Sequence, residues 1–154
     1  MSDNELYKSA FSRAMALCSK REYCLDDIQN KLDSWGVGEN DRKKIISMLI
    51  KENFLNETRY SEIFVREKFR LNKWGKIKIS AHLKSKKIPS DIIKSAIASI
   101  DDDQYIQTLK DLLSVHRKHI KAKNQYDLKG KLLRYGLSKG FESSLLYDLL
   151  NDFE

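Results

Sequence analysis

Ten residues between positions 59 and 87 have the types and spacing to hold an anion: Arg59, Arg66, Arg70, Lys73, Trp74, Lys76, Lys78, Lys84, Lys86 and Lys87. Guanidinium forks and ammonium point charges both match phosphate or carboxylate oxygens. Trp74, in their midst, offers a face on which a base can stack. Lys76 and Lys78 follow Gly75 at the expected start of a helix. The first N–H groups of that helix are expected to point outward as an anion site. Cations in a first helical turn oppose the dipole, which prefers acids, and a bound phosphate explains them most simply. A solvated basic surface, with Trp74 as a packing residue, is the plainer alternative.

Catalytic chemistry leaves no such trace. The chain has no Gly-rich phosphate loop, no Cys-x-x-Cys and no His-Glu-x-x-His. His116 and His119 stand three residues apart, but no cysteine or carboxylate cluster converges on them. They read as helix-end residues, and neither a metal nor a cofactor is expected. The net charge of +7 is concentrated. Residues 1–55 hold 9 basic and 9 acidic side chains, residues 101–154 again 9 and 9, and residues 56–100 hold 11 and 4. A single stretch that carries the whole excess points to an anionic partner. No apolar run approaches the ~20 residues of a membrane span, and MSDNELYKSA lacks the pattern of a signal peptide. Cys18 and Cys24 form no disulfide framework and read as reduced thiols. A monomeric, cytoplasmic, non-enzymatic protein without contact to membranes is expected.

The elements that position the basic residues follow from a repeat. Ile28, Leu32, Val37, Ile46 and Leu49 recur 51 residues later as Ile79, Leu83, Ile88, Ile97 and Ile100. They recur again, 49 residues beyond, as Leu128, Leu132, Leu137, Leu146 and Leu149. Residues four apart share one face of a helix. Cys24, Gly75 and Asn124 occupy the N-cap position of the same helix in the three copies. Gly36-Val37 and Gly136-Leu137 read as C-cap dipeptides, since glycine takes the left-handed conformation cheaply. Lys87-Ile88 is the middle equivalent, and a lysine there costs roughly 1 kcal/mol if the turn stays left-handed.

A longer helix precedes each pair. The expected helices run from about Asn4 to Lys20, Leu25 to Trp35 and Glu39 to Asn53. Next come Asn56 to Leu71, Lys76 to Lys86 and Ser90 to Ile100. The last set opens at Asp101 with a stripe of Tyr105, Ile106, Leu109, Leu112, Leu113, His116 and Ile120, then continues over Gln125–Tyr135 and Lys139–Asn151. The fold class is therefore all-α. Three tandem three-helix, helix-turn-helix-like repeats are expected over 1–55, 56–100 and 101–154, in an elongated, curved array.

Three stretches carry a family resemblance. Arg21-Glu22-Tyr23-Cys24-Leu25-Asp26-Asp27-Ile28 resembles the Arg-Glu-x-Ser-x-x-Glu-Leu segment of RecX proteins. Residues 54–66, FLNETRYSEIFVR, resemble their Asp-Asp-x-Arg-Tyr-Ala-x-x-Phe-Val-Arg segment, and Gly75 to Ile88 resembles their Gly-Pro-x-Arg-Ile-x-x-x-Leu-x-x-Lys-Gly-Ile segment. Cys24, Asn56-Glu57, Lys76 and Lys87 depart from these patterns at caps and turns. The resemblance implies a regulator that lodges in the groove of the RecA–DNA filament and restrains ATP hydrolysis, strand exchange and co-protease activity. Its place would be in recombination, DNA repair and the SOS response. Two other classes stay open. One is a stand-alone module for single- or double-stranded DNA, or RNA; the other is a structural adaptor for a protein partner.

Overall fold

The computed structural model describes residues 3–152, and all the regular structure among them is helical. Residues 1, 2, 153 and 154, the outer ends of the first and third expected repeats, lie outside the described residues. In chain order the helices are α1 (Asp3–Lys20), α2 (Leu25–Ser34), α3 (Glu39–Lys51), α4 (Glu57–Arg70), α5 (Lys76–Ser85), α6 (Ser90–Ala98), α7 (Asp102–Arg117), α8 (Gln125–Ser138) and α9 (Ser143–Asn151). Their starts follow local chemistry. The side chains of Asn56, Asp101 and Asn124 accept from the backbone N–H three residues on, at 2.8–2.9 Å. Cys24, a weak cap by type, does the same through Sγ at 3.4 Å.

The helix ends show where the repeat changes register. After α2 the N–H of Val37 returns to the carbonyl of Leu32, and after α5 that of Ile88 returns to Leu83. Gly36 (φ 85°) and Lys87 (φ 61°) supply the left-handed residue, so the lysine does stand in the strained conformation. After α8 the corresponding bond joins Phe141 to Gly136, and the left-handed residue is Gly140 (φ 93°). The expected cap at Gly136-Leu137 is therefore wrong. α8 has 14 residues, where α2 and α5 have 10 each. The four extra residues amount to about one helical turn. Gly136 is buried inside α8, where a Cβ would lie 2.3 Å from Leu146 Cδ2, and Leu137 is exposed. The start of the repeat holds, since Leu32, Leu83 and Leu132 are all fully buried.

The side chains gather into two cores. α1–α3 build one around Ala14, Ile28, Leu32, Ile45 and Leu49. α4–α9 share the other, which joins Val65, Ile79 and Leu83 to Leu109, Leu113, Leu132, Phe141 and Leu146. α4 packs with Val65 and Phe69 inward, while Tyr60 and Phe64 cover a second flank; Leu71, where the expected helix ends, is 77% exposed. Cys24, from the first triplet of helices, is buried in the second core. Burial pushes its thiol up to about 12.

Candidate functional site

The start of α5 differs from the expected open anion site. Its backbone donors are taken by the third triplet. Gly75 N–H donates to the Lys139 carbonyl at 2.7 Å, Lys76 N–H to Tyr105 Oη at 2.9 Å, and Ile77 N–H to the Gly140 carbonyl at 3.0 Å. Tyr105 Oη in turn donates to Glu142 Oε1. Burial, then this carboxylate, raises the phenol well above the ordinary tyrosine range. The partners lie far along the chain, so no local signal announces them.

Lys76 is in the first turn of α5 for a related reason. Its Nζ is 3.7 Å from Asp102 Oδ1, in the acidic first turn of α7, and 4.5 Å from the Tyr105 ring centroid. The facing helix therefore supplies the negative charge that a first turn favours. Gly75 is needed for its small size: a Cβ there would lie 2.3 Å from the carbonyl carbon of Gly140.

Other expected site residues are also engaged within the chain. Arg59 Nε binds Glu22 Oε2 at 2.7 Å, and its NH groups reach Asn53 Oδ1 and the Asn53 and Phe54 carbonyls at 3.1–3.4 Å. Lys86 Nζ meets Asp27 Oδ1 at 2.7 Å, and Lys87 Nζ meets Asp26 Oδ1 at 3.5 Å.

What the structure does bring together is a basic cluster around Trp74. Lys78 Nζ lies 4.6 Å and Lys68 Nζ 5.0 Å from its ring centroid. The half-buried indole also meets the rings of Phe64 at 6.4 Å and His82 at 5.5 Å. Lys139, from the segment after α8, bonds the Asn72 carbonyl at 3.0 Å. Burial and then the field of Lys78 hold its ammonium below the ordinary lysine range. Lys68 and Lys78 thus stand at one indole, and Lys139 of the third triplet lies within the field of Lys78, an arrangement suited to phosphate oxygens beside an aromatic ring. Trp74 is both packed and flanked by cations. Lys68 and Lys139 were missing from the sequence expectation, Lys139 because its own stretch is balanced in charge.

The remaining expected residues are dispersed. Arg66 and Arg70 are exposed on another flank of α4, along a groove with Ser99, Asp101 and Gln104. Lys73, left-handed at φ 57°, borders a hollow with Val115, His116, His119 and Tyr135. Lys84 is exposed on α5. His116 stacks on Tyr135 at 3.7 Å, and no group of residues fit to hold a metal occurs among the described residues. No described helix is long and apolar enough to cross a membrane.

Residues 56–97 match the family description "RecX, second three-helix domain". The regulatory protein RecX of Clostridium acetobutylicum is 31% identical over 155 residues, covering 97% of this chain and 70% of that protein. The regulatory protein RecX of Lactobacillus johnsonii is 24% identical over 136 residues, covering 88% of this chain and 50% of that protein. The chain thus spans from half to 70% of the length of these relatives. The crystal structure of RecX from Lactobacillus salivarius superposes with a TM-score of 0.83 at 20% identity, covering 97% of both chains, a likeness of fold.

Proposed function

The chain belongs to the RecX family, and we propose from this premise that it binds the RecA–DNA filament and restrains ATP hydrolysis, strand exchange and co-protease activity. One observation of its own surface supports the reading: Lys68 and Lys78 at Trp74, with Lys139 in the field of Lys78. Nucleic acid neutralises such a cluster and gains from counterion release. In this reading the protein is a cytoplasmic, monomeric regulator in recombination and repair and catalyses nothing itself. Its three repeats (1–55, 56–100 and 101–154) divide the work, the basic middle one with Lys139 meeting phosphates. Arg66, Arg70, Lys73 and Lys84 are exposed and extend that contact.

The decisive measurement is RecA ATP hydrolysis on single-stranded DNA with and without this protein. Inhibition that saturates with protein concentration supports the proposal, and an unchanged rate refutes it. Trp74 within reach of two ammonium groups also favours a second reading, a stand-alone nucleic-acid module. That reading requires naked DNA or RNA to bind as tightly as the RecA filament does.

A further inference from the structure

Three ion pairs join the first triplet of helices to the second, and all run in one direction. Glu22, Asp27 and Asp26 come from the first; Arg59, Lys86 and Lys87 come from the second. Arg59 is anchored by two carbonyls and an amide as well as by its carboxylate. The other two bases have less. Each holds one carboxylate, and Lys87 is 81% exposed although Asp26 is only 17% exposed. Lys87 carries a second peculiarity. It occupies a left-handed position that Gly36 and Gly140 fill in the sister turns. Glycine would relieve that strain; the lysine that stands there instead supplies the pair with Asp26.

We propose that Asp26 and Asp27 are an internal, displaceable stand-in for phosphate: they neutralise the charge of Lys86 and Lys87 by ion pairing until a strand of nucleic acid takes their place. This rests on the proposed contact between the basic second repeat and nucleic acid, and it adds the regulation of that contact. The exchange is physically balanced. Partly exposed carboxylate–ammonium pairs are weak, and a polyanion that releases counterions competes with them. Losing the lysines also leaves Asp26 and Asp27 beside Glu57, a half-buried carboxylate whose Oε2 lacks a hydrogen-bond partner. Like charges then loosen the start of α2 from α4, while Arg59 keeps the two triplets tethered.

The test compares Asp26→Asn/Asp27→Asn with Asp148→Asn/Asp152→Asn, a control with the same net charge, for binding of a labelled single-stranded oligothymidylate. The first variant should bind about threefold or more tighter than the control, because the two ammonium groups no longer have to give up a carboxylate. Its dependence on salt should steepen by about 1.4, two contacts at about 0.7 each. Adding Lys86→Gln/Lys87→Gln should abolish both gains. Equal affinity and salt slope in the two double variants would overturn the proposal. In the native chain, oligothymidylate should speed hydrogen exchange at residues 25–28; unchanged or slower exchange would also overturn it. The parent reading fails separately. If the native protein restrains RecA while Asp26→Asn/Asp27→Asn behaves as the control, only the masking is lost. If the native protein neither binds the strand nor slows RecA, both are lost.

Discussion

Gly75 and Gly140 meet backbone to backbone. A Cβ built on Gly75 would stand 2.3 Å from the Gly140 carbonyl carbon, and one on Gly140 would stand 2.3 Å from Lys78 Cβ. Two hydrogen bonds, from Gly75 N–H to Lys139 and from Ile77 N–H to Gly140, stitch the same junction. It joins the second and third triplets and brings Lys139 into the field of Lys78.

Gly75→Ala should therefore cost about 1–3 kcal/mol or more, because the opposing atoms are backbone and cannot swing aside. Urea melts report the loss. A loss near zero would show that the junction opens without consequence for the shared core.

Leu83→Ala should cost about 2–5 kcal/mol, the range for a fully buried leucine. Leu71→Ala, at a 77% exposed position, should stay within about 0.5 kcal/mol of the native protein. The pair separates a packing loss from a generic effect of removing leucine from this part of the chain.

Lys78→Glu should weaken binding to RecA filaments on single-stranded DNA and reduce the salt slope by about 1 or more. Lys94→Glu changes net charge equally at an exposed position on α6 and should do so far less. Identical losses in the two variants across a salt titration would reduce the site to bulk charge. Trp74→Phe keeps an aromatic face and should retain more affinity than Trp74→Ala.

Acid should erode the seam between the first two triplets. Burial alone would raise the Asp27 carboxyl, but hydrogen bonds from Lys86 and Cys24 outweigh it and hold it below the ordinary aspartate range. A carboxyl lowered by folding contributes stability above its unfolded pKa and loses it as pH falls through the folded one. Asp27→Asn should thus destabilise most at neutral pH, and the difference from the native chain should vanish in strong acid. Glu57 works in the opposite sense. Burial raises its carboxyl, so Glu57→Gln should relieve a penalty at neutral pH.

The all-helical fold and its repeat could be read from the chain because their causes are local. The cap residues Asn56, Asp101 and Asn124, and the apolar spacing at 28/32, 79/83 and 128/132, buried in full except at the partly buried Leu128, act within one or two turns. The third copy misled because Gly136-Leu137 imitates Gly36-Val37. What overrides the imitation is Leu146, packed against the bare face of Gly136 across the α8–α9 contact. The proposed site was half legible. The basic stretch and Trp74 stand out in composition, whereas the fate of each cation depends on side chains such as Asp27, 59 residues from Lys86, and Tyr105, 29 from Lys76.

The additional turn of α8 also bears on how such a chain tolerates rearrangement. It carries Gly140 about 6 Å farther along the helix axis than the shorter α2 or α5 would. A duplicate of the second triplet grafted in place of the third would end its helix short of Gly75. It would also offer Lys87, with a Cβ, where only glycine fits. The triplets are thus not interchangeable modules: one boundary is keyed by ionic pairs and the other by two glycines, and permuting their order would leave both boundaries without a match.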